Sequence, residues 1–185
     1  MNMLHRLIGA SVVCVGIVSP AAGQSVAEPR TATVTPFLST TFGTSQGLGS
    51  SLGLGVAAGY DWTSNLGVDF ELGHAFDVAG HDDNLDHSLT TFGANAVYHF
   101  DVLRVTPYAT AGLGWVRSNP DVKIIDPLAL TAPSSTEIAW NVGGGVKYPI
   151  NDRLLVRADL RRFQVTDLAP DHWRVYGGVT FWVRR

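Results

Sequence analysis

The sequence predicts an all-β chain of eight antiparallel strands in up-and-down order, closed into a transmembrane β-barrel. Three observations carry the prediction. The first is a two-residue rhythm: in Val156-Arg157-Ala158-Asp159-Leu160-Arg161, Val156, Ala158 and Leu160 form one alternate set and Arg157, Asp159 and Arg161 the other. Successive side chains of a strand point to opposite faces, so one face is apolar and the other charged. The second is an export-type N-terminus, and the third an alternation of tight and long connections. The rhythm alone also fits a soluble, lipocalin-like barrel. The export signal and a glycine-rich polar face favour the membrane assignment, with apolar residues toward lipid and polar ones in the lumen.

Residues 1–23 read as a signal peptide and 24–185 as the barrel. Arg6 precedes the apolar run Leu7–Val18, and Pro20-Ala21-Ala22-Gly23 supplies small residues suited to cleavage. The run is too short for a comfortable spanning helix, which needs about 20 apolar residues. Cys14 lies within the signal behind Val13, where a lipidation site would need a small residue, so the mature chain is read as free of cysteine. Without disulfides, an exported chain needs a large core or a closed sheet to hold it. Removing the signal takes Arg6 and no acid from a formal charge of −3 and leaves −4. Such a charge gives no electrostatic footprint for nucleic acid.

The first strand, Thr33–Gly43, is rich in Thr, Val and Phe, residue types that favour strands. The second, Leu48–Trp62, places Leu52, Leu54, Val56, Ala58, Tyr60 and Trp62 on one face and Gly53, Gly55, Ala57, Gly59 and Asp61 on the other. Glycine weakens a strand in general; repeated on one face, it makes room inside a narrow barrel. The third, Leu66–Asp77, contributes Asp69, Glu71 and Asp77 to the lumen face, and the fourth and fifth are His87–Phe100 and Arg104–Arg117. The sixth, Thr136–Pro149, alternates Ile138, Trp140, Val142, Gly144 and Val146 with Glu137, Ala139, Asn141, Gly143, Gly145 and Lys147. The seventh, Leu154–Val165, carries the charged triplet, and the eighth, His172–Val183, offers Arg174, Tyr176, Thr180 and Trp182 to the interior.

Thr63–Asn65, Asp101–Leu103 and Ile150–Arg153 are tight connections, whereas Val78–Asp86, Ser118–Ser135 and Thr166–Asp171 are longer; Thr44–Gly47 is the short exception. Outer-membrane barrels have short periplasmic turns and longer external loops. Tyr60, Trp62, Trp140, Tyr148, Trp173 and Phe181 are candidate membrane-interface aromatics. Inside, an eight-stranded barrel is just wide enough for side chains to fill, and buried charges need partners. Glu71, Glu137, Lys147, Arg157, Asp159 and Arg161 are therefore expected to form a lumen ion-pair network in which the triplet pairs with Glu71 or Glu137. A filled lumen leaves no wide pore.

Pro107-Tyr108-Ala109-Thr110-Ala111-Gly112-Leu113-Gly114-Trp115 resembles the Pro-Tyr-x-x-x-Gly-Leu-Gly-aromatic strand of small outer-membrane barrels. Asn141–Tyr148 followed by Leu155–Arg161 resembles the next hairpin of the same family, the eight-stranded outer-membrane protein β-barrel domains of OmpA/OmpX-like type. The resemblance covers essentially the whole mature chain. It implies a Gram-negative outer membrane, periplasmic termini, external loops, and contact with outer-membrane lipid and lipopolysaccharide. Such barrels usually end on an aromatic residue; this chain departs, with Phe181 and Trp182 followed by Val183-Arg184-Arg185.

Other chemistry is weakly supported. His81, Asp82, Asp83, Asp86 and His87 match no metal motif and read as a solvated external loop. His87-Ser88 are strand neighbours pointing apart, and His172 meets Ser118 or Ser134 only through loop folding, so no base–nucleophile pair is defined. Gly143–Gly145 and the Gly-rich run at 47–55 lie in strands and have no phosphate-loop context. No catalytic, cofactor or metal residue is assigned. The reading is a monomeric barrel with a structural or loop-mediated role. Ser118–Ser135 is its candidate contact for an external partner, through Ile124, Ile125, Leu128 and Leu130. The alternatives are a narrow channel or small-solute conduit and, further off, a lipid A-modifying enzyme. The face assignment has a direct test: Val156→Arg is expected to cost roughly 2–4 kcal/mol near the bilayer midplane, seen as a lower midpoint in a denaturant titration of refolding into lipid.

Overall fold

The computed structural model describes residues 28–43, 50–76, 85–100, 105–122, 134–166 and 171–184. Signal residues 1–23, Cys14, Asp77, His81–Asp83 and the apolar loop residues Ile124, Ile125, Leu128 and Leu130 lie outside them. Eight strands follow one another: β1 Thr31–Gly43, β2 Ser51–Asp61, β3 Leu66–Ala75, β4 Leu85–His99, β5 Thr106–Val122, β6 Ser135–Asn151, β7 Leu154–Val165 and β8 His172–Arg184. Each pairs antiparallel with its sequence neighbours, and β8 returns to β1, closing the sheet into a barrel. Closure leaves no unpaired edge along the wall.

The register fixes the barrel's shape. From Thr31 the paired positions run through Asp61, Gly67, Val97, Thr110, Gly143, Arg161 and Arg174 and return at Thr41, ten residues further along β1. A stagger of this kind tilts the strands, typically by about 35–45°. All the positions on this path face inward.

Parity holds around the wall. Along β7, Leu155, Arg157, Asp159, Arg161 and Phe163 are buried, while Val156, Ala158 and Leu160 are exposed. The exposed set elsewhere is large and apolar, including Leu38, Leu52, Leu54, Phe70, Leu72, Leu113, Val142 and Val179. A soluble protein would fold such a surface inward; here it forms the belt that meets hydrocarbon.

The tight turns gather at one end with the start of β1 and the end of β8. Between β2 and β3, the Thr63 hydroxyl accepts from the backbone N–H of Asn65 (3.2 Å) and Leu66 (2.9 Å). Between β6 and β7, Asn151 Oδ1 accepts from the N–H of Arg153 (2.8 Å) and Leu154 (3.0 Å). Both are side-chain-to-backbone turns of the kind Thr and Asn favour. The second is tighter than expected, because β6 runs on through a bulge between Pro149 and Asn151.

At the opposite end one boundary departs from the sequence reading. Ser118–Ser135 is not all loop: β5 continues to Val122, paired with β4 back to Leu85. Beyond the last β3–β4 pair at Leu89 and the last β5–β6 pair at Ser118, these strands form a two-stranded ribbon rising past the rim. Pro120 is accommodated because its position there has no β6 partner to receive an N–H.

Glycines clear space where large inward side chains need it. A Cβ added at Gly55 would lie 2.7 Å from Phe37 Cε2 and 2.5 Å from the Leu72 carbonyl oxygen. Phe37 in turn packs on Tyr176, with ring centroids 4.6 Å apart. Gly55→Val is expected to cost about 1–3 kcal/mol through overpacking, measured as a fall in the fraction of refolded protein that keeps the fast gel mobility of an unheated barrel.

Candidate functional site

The barrel interior is the most highly organised region of the molecule. Its buried charged residues, among those described, are Asp61, Asp69, Glu71 and Asp159 against Lys147, Arg157, Arg161 and Arg174. Four buried acids face four buried bases, with Glu137 half-buried on the same lumen face. Pairing matters because one unpaired charge costs several kcal/mol in such surroundings.

The centre is built on β7. Arg157, Asp159 and Arg161 project inward two residues apart, and Arg161 has no accessible surface at all. Arg157 reaches across to β3, where its Nη1 lies 2.5 Å from Asp69 Oδ2. Arg161 donates to Asp159 from Nε (2.8 Å) and Nη2 (3.0 Å), and its Nη1 lies 3.2 Å from Glu71 Oε2. Arg174 of β8 completes the chain by pairing with Glu71 Oε1. Two of the acids are thus shared between arginines: Glu71 between Arg161 and Arg174, Asp159 between Arg157 and Arg161.

Two tyrosines bind the network to the wall. Tyr108 on β5 donates its hydroxyl to Asp159 and accepts from Arg157 Nε at 2.7 Å. The Tyr176 hydroxyl accepts from Arg161 Nη2 at 3.0 Å. The arginine planes also lie over the rings, with Arg157 4.7 Å from the Tyr108 centroid and Arg161 5.4 Å from that of Tyr176. These are cation–π distances, and such contacts strengthen when desolvated.

Above and below, the lumen changes character. Toward the turn end, Lys147 Nζ lies 2.7 Å from His99 Nε2, and Asp61 lies 3.9 Å beyond His99. Toward the loop end, Ala75, Leu89, Val116 and Ala139 form an apolar layer with Val165 packed against it. Two lumen voids, one beside Glu71 and Asn141 and one beside Ser39 and Arg174, are each about 10 Å³. That is about the least space one water needs.

The structure therefore brings Glu71, Arg157, Asp159 and Arg161 into one cluster. It sets Lys147 apart with His99, and leaves Glu137 half-buried on the same face of β6 as Asn141. Asp69 and Arg174 were assigned to the lumen face by parity, but not to the network. Parity likewise puts Asp61 on the inward face of β2 without joining it to the network; Tyr108 and His99 carry no such assignment, although Tyr108 alternates with Pro107 and Ala109 on a face shared with Gly112 and Gly114. His172 packs flat on Phe163, with ring centroids 5.0 Å apart and planes at 4°. Among the described residues, no group of three or more His, Cys, Asp or Glu is placed to hold a metal.

The candidate interface aromatics all lie on the outward parity. Tyr60, Trp62, Tyr148 and Phe181 sit toward the turn end, joined by Tyr98 and Phe100. Trp140 and Trp173 sit toward the loop end, with Trp115 stacked on Phe92 at 5.8 Å.

A closed eight-stranded barrel with an apolar exterior, two aromatic bands and an ionic interior is a small outer-membrane barrel. The chain matches the outer membrane protein beta-barrel domain over residues 8–181 and belongs to that family. It is a multi-pass barrel of the Gram-negative outer membrane. Among solved structures it is similar to Neisserial surface protein A: 21% identity, TM-score 0.65, covering 81% of this chain and 96% of that one. The N-terminal β-barrel domain of Pseudomonas aeruginosa OprF gives 21% identity and a TM-score of 0.56, over 83% of this chain and 97% of that one. OprG from the same organism gives 13% identity and a TM-score of 0.60, over 87% and 99%. At these identities the likeness is one of fold. No curated protein sequence matches the chain.

Removing one arginine exposes the network's dependence on pairing. Arg161→Met leaves Glu71 and Asp159 short of a partner and is expected to cost about 3–5 kcal/mol, read as a shift in the midpoint of a urea unfolding titration in lipid. Adding Glu71→Gln to that variant is expected to restore part of the loss.

Proposed function

We propose that this protein is a monomeric, non-conducting scaffold of the outer membrane, which reinforces the envelope and holds its external loops for contact with a partner. The observation that carries the reading is the shared arginine–carboxylate network across the lumen, from Asp69 through Arg157, Asp159, Arg161 and Glu71 to Arg174. It fills the lumen across its middle, and channels with open water need about 16 strands. The expected signal peptide 1–23 delivers the chain across the inner membrane. Tyr60, Trp62, Trp140, Tyr148, Trp173 and Phe181 seat the barrel at the two interfaces.

The loop-side segment between β5 and β6 is the proposed partner contact. Its paired part, Ser118–Val122, belongs to the β4–β5 ribbon that rises past the rim. Loops on a rigid scaffold commonly carry binding.

Single-channel recording in planar bilayers tests the lumen. The wild type is expected to give no unitary steps above the bilayer baseline. Regular steps that change in size on Glu71→Gln would overturn the scaffold reading and favour a narrow conduit.

A further inference from the structure

The turn end of the lumen is closed by two side chains that would both be cations in acid. His99, the last residue of β4, has no accessible surface, and Lys147 of β6 is buried beside it. Lys147 Nζ lies 2.7 Å from His99 Nε2. An ammonium can only donate, so Nε2 is the acceptor and the ring is a neutral imidazole with its proton on Nδ1. Among the described residues Nδ1 makes no hydrogen bond; it faces Asp61 of β2, whose Oδ1 is 3.9 Å away.

The histidine is pinned and the lysine is not. The His99 N–H donates to the Asn65 carbonyl at 2.7 Å, and Asn65 Nδ2 donates to the His99 carbonyl at 3.0 Å. Lys147 reaches the ring on a flexible four-carbon stem. Around the pair, β2 presents Asp61, β3 Asp69, β5 Tyr108 and β7 Arg157, while the buried Thr31 of β1 and Thr180 of β8 are uncharged. Asp69 is taken by Arg157 at 2.5 Å. Tyr108, with its ring centroid 6.1 Å from that of His99, bonds to Arg157 and Asp159. Asp101 and Arg104, in the turn after β4, lie outside the described residues. Among those described, Asp61 is the acid left to take a charged ring.

We propose that His99 and Lys147 form an acid-released latch on the turn end of the lumen. A proton and the Lys147 ammonium compete for one lone pair on Nε2. When the proton takes it, two cations face each other at contact distance. Lys147 then withdraws on its stem, and the imidazolium is left to Asp61. Histidine is the side chain whose ordinary value puts such an exchange between about pH 5 and pH 8. The shared arginine–carboxylate contacts lie beyond Tyr108 and contain no histidine. Release therefore loosens the turn end and leaves the middle of the lumen filled.

The test is urea unfolding of the full chain refolded in lipid, at about pH 7.5 and about pH 5.5, an interval that brackets the ordinary histidine value and stays above that of carboxylates. The unfolded chain takes up the proton freely, whereas the latched barrel must first give up its contact. Stability is thus lost as pH falls, and the folding equilibrium constant of the wild type is expected to drop roughly tenfold over the interval. His99→Gln offers an amide oxygen to Lys147 and no site for the proton. Lys147→Met removes the competing cation and lets the ring charge against Asp61 within the fold. In both variants the drop is expected to shrink to less than about threefold, with the heat-dependent gel shift of a folded barrel retained. Nitrogen NMR of the wild-type ring at the higher pH is expected to show Nδ1 protonated and Nε2 bare. A protonated Nε2 there, or a wild type indifferent to acid, would overturn the latch. So would a drop in His99→Gln equal to that of the wild type, which would place the response in other groups. An equal drop in Lys147→Met would also overturn it, by assigning the response to burial of the ring alone.

Discussion

The structure depends on one constraint: charged side chains are buried inside a narrow cylinder, so opposite charges must be brought together within it. The arginines supply what the geometry asks. A guanidinium presents several donors in a plane and stays charged in any protein setting. Arg161 donates to Asp159 and Tyr176 while its Nη1 faces the Glu71 carboxylate, which a lysine ammonium on a flexible stem does poorly. A buried ion pair is weak evidence of stability relative to an apolar core. An inside-out barrel has no such alternative, because its apolar residues are already committed to lipid.

The sheet geometry makes the pairing reachable. β3 and β7 stand on opposite sides of the wall, yet Arg157 spans the gap to Asp69. That reach needs a lumen narrow enough for one long side chain and open enough for a tyrosine beside it. The ten-residue stagger sets the width, and glycine on the inward parity sets the remaining room. Gly145 shows the second effect: a Cβ there would meet the Tyr108 hydroxyl that bridges Arg157 and Asp159. The glycine-rich face of β6 and the ionic face of β7 are thus one device, a vacancy paired with the groups that fill it.

Much of this was legible in the residues. Period-two alternation places Arg157, Asp159 and Arg161 on one face and Val156, Ala158 and Leu160 on the other, and the aromatic positions follow from the same parity. What parity does not contain is height. Whether Arg161 meets Glu71 or Glu137 depends on the stagger accumulated around the whole wall, which no local pattern encodes. Tyr108 was missed because its neighbours drew it into a motif, although glycine at alternate positions marked its face. The ribbon at Ser118–Val122 was missed because Pro120 reads as a loop residue, and only the loss of a β6 partner there makes a strand proline acceptable.

The distribution of polarity along the axis bears on how such a chain divides stability from recognition. The ionic column is capped toward the loops by the apolar layer of Ala75, Leu89, Val116 and Ala139 and closed toward the turns by His99 and Lys147. Burial keeps the local dielectric low, and each shared contact gains strength from it. None of these contacts uses a loop side chain. The belt outside and the column inside are both built from strand residues, so the described contacts that hold the cylinder lie within its wall. A scaffold arranged this way tolerates change in its loops at little cost in stability, and that freedom is what a surface chosen for binding requires.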